Sequence, residues 1–310
     1  MTPIPVYSSP GYVADIGAHV MPMRKFDLVR EAMVAAALPV EVRAPEPASD
    51  ADLLRVHTAE YLQAIERGEP RALAESQKFP WSPALARAVR LTNGGCIAAL
   101  HAAMERGVAA NLASGFHHAH ADHGEGFCTF NGLVVALEQA RAAGRIERGL
   151  IVDCDLHYGN GTAALLTSRP SLYALSVYGN WYARNTAHRD VDSERAADTD
   201  NAWSVAVPNG AGRDAYLGAL RAALPGAIER ARPDVVLYQA GADPYREDPY
   251  SPLELDASDL LERDRLVFEA LRAAGIPVAW VLAGGYTRDI TKVVEVHVNT
   301  ARAACQAFVA

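Results

Sequence analysis

The sequence predicts an α/β fold in which helices cover a parallel sheet. Short apolar runs alternate with longer segments of helical period along the 310 residues, as expected for strands that helices connect. Half of the residues are hydrophobic and 21% are charged, so the chain is globular and can bury a sizeable core. It contains no internal repeat, low-complexity tract or long linker rich in Gly, Ser or Pro. We therefore expect a single domain over residues 1–310.

Eight short apolar runs are the strand candidates. In chain order they are Pro5–Tyr7, Val40–Arg43, Val108–Leu112, Gly149–Val152, Leu172–Val177, Trp203–Val207, Val235–Gln239 and Val278–Leu282. The segments of helical period are Arg24–Ala37, Asp50–Arg67, Pro83–Arg106, Gly132–Ala143, Arg213–Arg230, Ala257–Ala274 and Arg288–Phe308. The least regular stretch, Gly179–Asn201, is polar and charged. It is predicted to be a functional loop after the fifth strand.

Charge, cysteine spacing and hydropathy exclude several functional classes. The 29 Lys and Arg residues against 37 Asp and Glu residues give a net charge of −8, which argues against direct binding of nucleic acid. The four cysteines form no C-x-x-C pair, so we expect a reduced, cytoplasmic protein. No signal peptide or apolar run of about 18 residues is present, which argues against secretion and membrane spanning. The sequence does not indicate an oligomeric state.

Side chains that can bind a metal follow the fourth strand candidate. Gly149–Val152 runs directly into Asp153, Asp155 and His157. Alternate residues of an extended chain share one face, so these side chains are expected to offer two carboxylates and an imidazole to one divalent ion. The alternative is a βα turn in which these polar residues are incidental.

The seventh strand candidate, Val235–Gln239, is followed by Asp243. Because the carboxyl ends of parallel strands lie along one edge of the sheet, Asp243 is expected to approach Asp155 and His157. Two carboxylates and one imidazole would bind Zn²⁺ and leave a position for water, as a catalytic site requires. Taken alone, Asp243 is equally well explained as a helix cap or a turn residue.

Four of the ten histidines lie close together, at positions 117, 118, 120 and 123. His117 and His118 follow the third strand candidate and precede a Gly-rich aromatic turn. A tandem pair beside a metal can supply a general base and an electrostatic partner. For His120 and His123, a solvated loop or an adventitious metal-binding tract is the simpler interpretation.

The last strand candidate, Val278–Leu282, runs into Gly284, Gly285 and Tyr286. Glycines allow close approach of the backbone, and a tyrosine hydroxyl at this position can donate to a developing oxyanion. A tyrosine after two glycines is more often a packed ring, so its catalytic role depends on the neighbouring clusters.

The segments SGFHHAHADHGEGFCTFNG, DCDLHYGNG, GAD and GGY, in this order, resemble the zinc-dependent histone deacetylase family of the arginase/deacetylase superfamily. The N-terminal HVMPMRKFDLVRE is similar to the opening loop and helix of that family. The resemblance implies one open, three-layer α/β/α domain around a mostly parallel eight-stranded sheet. It also implies an amidohydrolase in which metal-activated water removes an acetyl or longer acyl group from the Nε of an acyl-lysine peptide or protein.

The resemblance implies two ion sites. One Zn²⁺ would be bound by Asp155, His157 and Asp243. A K⁺ ion beside it would be bound by Asp153, Ser176 and the backbone of Asp155 and His157.

The resemblance also implies catalytic roles. His117 would be the histidine backed by the buried carboxylate of Asp153. His118 would be the general base and acid, with Asn160 as its partner. Tyr286 would stabilise the oxyanion.

Gly126 and Phe127 match positions that line the narrow tunnel for the acylated side chain. Two positions depart from the common family pattern. Asn160 replaces a second aspartate, which is similar to the class IV branch and its bacterial relatives, and it should raise the pKa of His118 less than a carboxylate would. Tyr250 stands near the acyl pocket, where a small aliphatic residue or Met is usual.

Three alternatives stay open. An acetylpolyamine or another small N-acyl amine presents the same amide on an alkyl stem, although Gly179–Asn201 is short for the loop of polyamine specialists. An arginase-like binuclear manganese hydrolase shares the D-x-D-x-H strand end, but Asn160 and Tyr245 stand where further carboxylates are needed. A non-catalytic binder of acylated ligands would use the same scaffold without turnover.

Overall fold

A central sheet of eight strands organises the protein in the computed structural model, which describes residues 2–180, 182–183, 186–187 and 198–309. The strands are β1 (Ile4–Tyr7), β2 (Val40–Arg43), β3 (Val108–Ser114), β4 (Gly149–Asp153), β5 (Leu172–Tyr178), β8 (Ala202–Ala206), β9 (Val235–Ala240) and β10 (Val278–Leu282). Two short strands, β6 (Tyr182–Ala183) and β7 (Thr186–Ala187), form a separate antiparallel pair. The sheet order is β2-β1-β3-β10-β9-β4-β5-β8, and every neighbouring pair is parallel. The predicted α/β class is confirmed, and the sheet is parallel throughout.

Helices cover both faces of the sheet, because right-handed crossovers in opposite directions place helices on opposite sides. The described residues form α1 (Lys25–Ala35), α2 (Asp50–Leu53), α3 (Ala59–Arg67), α4 (Arg71–Ala74), α5 (Pro83–Arg106), α6 (Gly132–Ala142), α7 (Asn160–Leu166), α8 (Arg213–Ala231), α9 (Ala257–Ala273) and α10 (Ile290–Phe308). On one face α6 contacts both α5 and α7. On the other, α10 contacts α1 and α9, and α9 contacts α8. None of the helices in the described part of the chain is long and apolar enough to cross a membrane.

The prediction of one helix over Asp50–Arg67 is wrong, because the chain breaks into α2 and α3. Ser49 and Thr58 each cap a helix of their own. Between the two helices, the backbone N–H of Thr58 donates to the carbonyl of Ala121. The ring of His57 also contacts the carbonyl of His120, with Nδ1 2.9 Å from the oxygen. These contacts with the loop after the tandem histidines interrupt the helix between α2 and α3.

Two short helices were not predicted. α4 is a single turn, and α7 begins among glycines directly after the D-x-D-x-H segment. Most of the predicted loop Gly179–Asn201 lies outside the described residues.

The two glycines Gly94 and Gly218 allow a matched test of packing against helix propensity. Gly94 lies inside α5 and Gly218 inside α8. A methyl group on Gly94 would lie 1.8 Å from the carbonyl oxygen of Glu46, whereas one on Gly218 would have nothing within 4 Å. We expect Gly218→Ala to raise the free energy of unfolding by about 0.5–1 kcal/mol, because alanine is the better helix former.

We expect Gly94→Ala to lower the free energy of unfolding by about 1–3 kcal/mol, because the added methyl forces helix and loop apart. Urea unfolding followed by circular dichroism measures both variants. Stabilisation by both substitutions would contradict the close approach of α5 to the segment that contains Glu46.

Candidate active site

The loops that follow adjacent strands meet at the carboxyl edge of the sheet. β4 ends at Asp153 and leads to Asp155 and His157, while β9 leads to Asp243. β10, which lies between β3 and β9, leads to Tyr286. Residues far apart in sequence therefore converge at one place, as the parallel arrangement predicts.

Asp155, His157 and Asp243 form a compact buried cluster. One ligand atom from each residue lies within 4.8 Å of the other two. Nδ1 of His157 is 3.2 Å from a carboxylate oxygen of Asp155 and 3.1 Å from one of Asp243. The structure thus brings together the three residues that the sequence singles out. The described residues contain no second group of this kind.

The backbone around this cluster fits a small metal ion. The N–H of Gly284 donates to Asp155 at 2.9 Å, and the N–H of Leu156 donates to Asp243 at 3.1 Å. A Cβ on Gly284 would lie 2.0 Å from the Asp243 carboxylate, so only glycine allows this approach. Two carboxylates and one imidazole, held in place by backbone donors, are a donor set suited to Zn²⁺ with a further position for water.

The buried negative charge makes the cluster attractive to cations. Burial alone would lower the pKa of His157, but the hydrogen bonds and charges of Asp155 and Asp243 raise it to about 10. Burial alone would raise the pKa of Asp155, yet His117 and His157 hold it below its usual range. The field that retains a proton on His157 would also attract a divalent ion, which competes with that proton.

His117 and His118 lie beside the cluster, with their ring centroids 4.0 Å apart. Nδ1 of His117 is 2.7 Å from a carboxylate oxygen of Asp153, and its Nε2 is 3.7 Å from Asp155. Burial would lower the pKa of His117, but the charges of Asp153 and Asp155 raise it above its usual value. Asp153 therefore favours the charged form of this imidazole.

His118 has a different partner and the opposite electrostatic character. Its Nδ1 is 2.6 Å from Oδ1 of Asn160. An amide oxygen only accepts, so Nδ1 carries the hydrogen and Nε2 carries the lone pair. Burial, and then the positive charges of His117 and His157, hold the pKa of His118 well below its usual value. The pKa values of His117 and His118 are therefore shifted in opposite directions.

Tyr286 lies between two other aromatic rings. Its ring centroid is 6.0 Å from that of Phe127 and 5.3 Å from that of Tyr250. Burial, and then the charge of Asp243, raise the pKa of Tyr286 well above its usual value. The hydroxyl therefore stays protonated near neutral pH and can donate a hydrogen bond.

Aromatic side chains also surround the turn that contains Gly126 and Phe127. Both residues have positive φ, 51° and 65°, so the backbone turns sharply there. The ring of Phe127 stacks on Phe79 at 5.6 Å and meets the edge of His19 at 4.8 Å. This turn places Phe127 beside the half-buried Tyr286.

Ser176 lies next to Asp153 across the β4–β5 pair. Its hydroxyl oxygen is buried, and among the described residues it has no hydrogen-bond partner. An orphaned buried hydroxyl beside a carboxylate is the feature expected of a ligand to an unseen ion or water.

Lys25 was not predicted to belong to the site. It is fully buried in α1, and its ammonium group donates to the carbonyl oxygens of Ala283 and Gly284. Burial lowers its pKa to about 8, although the charges of Asp243 and Asp155 oppose the fall. The signal was present in the sequence, because Lys25 lies within the HVMPMRKFDLVRE segment.

Arg263 is a second buried cation that the sequence analysis missed. Its guanidinium group donates to the carbonyls of Cys154 and Gly241, at 3.2 and 2.6 Å, and pairs with Asp264. Helical spacing from Leu260 places positions 263 and 264 on the buried face of α9, so periodicity could have identified both charges. Arg263 holds the two backbone segments that carry Asp155 and Asp243.

Comparisons with known proteins lead to one family. Residues 19–301 match the family model described as the histone deacetylase domain. A histone deacetylase-like amidohydrolase of Pseudomonas aeruginosa is 32% identical over 261 residues, which cover 80% of this chain and 67% of that protein. Histone deacetylase 2 of Arabidopsis thaliana is 32% identical over 259 residues, which cover 81% of this chain and 64% of that protein.

Two further matches extend over nearly the whole chain. An uncharacterized protein of Picosynechococcus is 33% identical over 307 residues, which cover 97% of this chain and 98% of that protein. The crystal structure of the HDA15 HD domain matches with a TM-score of 0.80 and 21% identity, over 99% of this chain and 90% of that chain. The structural match supports the fold.

We expect Asp243→Ala to abolish Zn²⁺ binding, because it removes one of the three candidate metal-binding side chains while leaving the backbone of the cluster in place. Thermal unfolding of the chelated protein with added Zn²⁺ provides the measurement. A free Zn²⁺ concentration of 100 times Kd would raise the free energy of unfolding of the wild type by about 2.7 kcal/mol. The free energy of unfolding of the variant should not rise.

Asp122→Asn is the matched control, because this exposed carboxylate pairs with His123. Its response to Zn²⁺ should equal that of the wild type. Retention of zinc by Asp243→Ala would show that the metal binds elsewhere.

Proposed function

Because this chain belongs to the histone deacetylase family, we propose that it is a zinc-dependent amidohydrolase that removes an acetyl or longer acyl group from the Nε of acyl-lysine. The observation that carries the proposal is the buried Asp155, His157 and Asp243 cluster with His118 beside it, the His118 and His157 rings being 5.9 Å apart. Zn²⁺ bound by Asp155, His157 and Asp243 would supply a Lewis acid that lowers the pKa of water towards about 7. The net reaction is amide plus water to carboxylate plus protonated amine.

His118 would act as the general base and then as the general acid. Its hydrogen bond to Asn160 keeps the lone pair on Nε2, and its low pKa keeps the ring neutral and ready to accept a proton. The proton taken from water would later be given to the leaving amine nitrogen, so the ring ends the cycle unchanged.

His117 would serve as a charged neighbour of the reaction. Its contact with Asp153 orients the ring and favours the imidazolium form. A positive charge at this position stabilises negative charge that develops on the substrate. It also lowers the pKa of His118, so the pKa values of the two adjacent imidazoles are shifted in opposite directions.

Tyr286 would donate a hydrogen bond to the oxyanion of the tetrahedral intermediate. Its raised pKa keeps the donor protonated, and its position after β10 brings the ring to the same sheet edge as the metal ligands. The backbone N–H of Tyr286 donates to Asp248 at 2.7 Å, which fixes the start of this loop. A fixed donor costs no reorganisation during the reaction.

The aromatic rings near Tyr286 would admit a thin, extended substrate. Gly126 and Phe127 would form one side of the passage and Tyr250 the other, since Phe127 and Tyr250 both lie against Tyr286. A lysine side chain with an acylated end is an alkyl stem with a single polar group, which matches such a passage. Tyr250, at 6.1 Å from the ring of His157, would limit the room for the acyl group.

Three further features belong to this proposal. Ser176 and Asp153, with the backbone of Asp155 and His157, would bind K⁺, which the orphaned hydroxyl of Ser176 supports.

Residues 1–310 would act as one catalytic domain, because the site draws on strands from both halves of the chain. The four buried, unpaired cysteines support a cytoplasmic location.

Metal analysis and a substrate panel test the proposal together. The zinc-loaded protein is incubated with acetyl-, octanoyl- and myristoyl-lysine peptides, and in parallel with acetylputrescine and acetylspermidine. Hydrolysis of a peptide supports the acyl-lysine assignment. Hydrolysis of the acetylated polyamines alone would show that the substrates are small N-acyl amines and not acyl-lysine. Stoichiometric zinc without turnover of any of them would contradict an amidohydrolase.

We expect Tyr286→Phe to retain zinc and to lose about 10²–10³ in kcat, because removal of one oxyanion donor typically costs that much. Tyr245→Phe is the matched control, since that hydroxyl bonds to Glu247. Steady-state kinetics and metal content measure both variants. Wild-type kcat in Tyr286→Phe would rule out its role as an oxyanion donor.

A further inference from the structure

Glu125 is linked to His118 through Asn160. Nδ2 of Asn160 donates to Oε2 of Glu125 across 2.6 Å, while Oδ1 of the same amide lies 2.6 Å from Nδ1 of His118. Oε2 of Glu125 is also 3.3 Å from Nε2 of His120. A chain of hydrogen bonds therefore runs from the loop after the tandem histidines to the edge of the metal cluster.

The carboxylate of Glu125 faces the Nδ2 end of the Asn160 amide. The two ends of an asparagine amide have nearly the same shape, so their orientation is set by the neighbouring groups. An ionised carboxylate can only accept hydrogen bonds. Nδ2 must therefore face Glu125, and Oδ1 must face His118.

The opposite orientation of the amide would disable His118 as a base. Nδ2 would then point an N–H at Nδ1 of His118, which would have to accept, so the ring hydrogen would move to Nε2. A ring with hydrogen on Nε2 has no lone pair there to take a proton from water. The orientation of one amide thus decides whether the imidazole is in its useful tautomer.

We propose that Glu125 is a positioning residue that acts through Asn160 to fix the orientation and tautomer of His118. The inference rests on the proposed function, in which His118 is the general base. The side chain of Glu125 is only 12% exposed, so water screens its contact with Asn160 little. Nδ2 of Asn160 also lies 3.4 Å from Nε2 of His120, so the 2.6 Å hydrogen bond to Glu125 is the closer of its two contacts.

The first test compares Glu125→Leu with the wild type as zinc-loaded proteins. Leucine fills similar volume but cannot accept a hydrogen bond. We expect kcat to fall about tenfold to hundredfold, a part of the ~10²–10⁴ that general acid–base catalysis contributes, with KM within about threefold. Asp122→Asn is the control. It removes a carboxylate from the same loop, but this carboxylate contacts His123 rather than Asn160, so the variant should keep the wild-type kcat.

A charge exchange between positions 125 and 160 separates positioning from a merely structural role. Asn160→Asp alone sets two carboxylates against each other across the 2.6 Å contact, so kcat should fall. Adding Glu125→Gln supplies an amide donor to the new carboxylate, which still accepts from Nδ1 of His118. We expect the double variant to recover to within about fivefold of the wild type, because the two positions are coupled.

Nitrogen-15 NMR of the histidine rings gives a readout that needs no turnover. The wild type should hold its hydrogen on Nδ1 of His118, and Glu125→Leu should show a mixture of tautomers. Wild-type kcat together with an unchanged tautomer in Glu125→Leu would overturn the inference, as would a double variant no better than Asn160→Asp. If the wild type hydrolyses no acyl amine, the proposed function fails, and the tautomer measurement still decides the role of Glu125.

Discussion

The burial of negative charge at the carboxyl edge of the sheet is the constraint on which the rest of this structure depends. Asp153, Asp155 and Asp243 are each 3% exposed or less. Removing a carboxylate from water without compensation costs several kcal/mol, and three such groups lie close together here. The surrounding fold must therefore supply donors and positive charge, and most of the unusual features of the site follow from that need.

The compensation is arranged so that oxygen atoms remain accessible to a metal. Backbone N–H groups and two imidazoles contact the carboxylates directly, while the two buried cations do not. Lys25 and Arg263 bind backbone carbonyl oxygens next to the cluster instead. The charge of Lys25 lowers the electrostatic cost of the site without contacting its carboxylate oxygens. The charge of Arg263 is paired with Asp264, so its contribution is the hydrogen bonds that hold the loops carrying Asp155 and Asp243.

The parts of the site that follow a simple period could be predicted from the sequence. Asp155 and His157 stand two residues apart directly after the end of β4, and parallel strands bring Asp243 to the same edge. The contact between Glu125 and Asn160 could not be predicted, because it joins a loop to the first residue of α7, and no periodicity encodes their relative placement. The break between α2 and α3 was missed for a related reason, since a hydrogen bond from Thr58 to a distant loop overrides a continuous helical pattern.

The strand that completes the sheet is also the last of its strands to be synthesised. β10 is hydrogen-bonded to β3 on one side and β9 on the other, so it joins β2, β1 and β3 to the remaining four strands. On the ribosome β10 cannot link the two groups of strands until residue 282 has emerged. During that interval the edges of β3 and β9, which are interior in the finished sheet, are open to pairing with other chains. The nascent chain therefore carries a risk of misassembly that the finished fold removes.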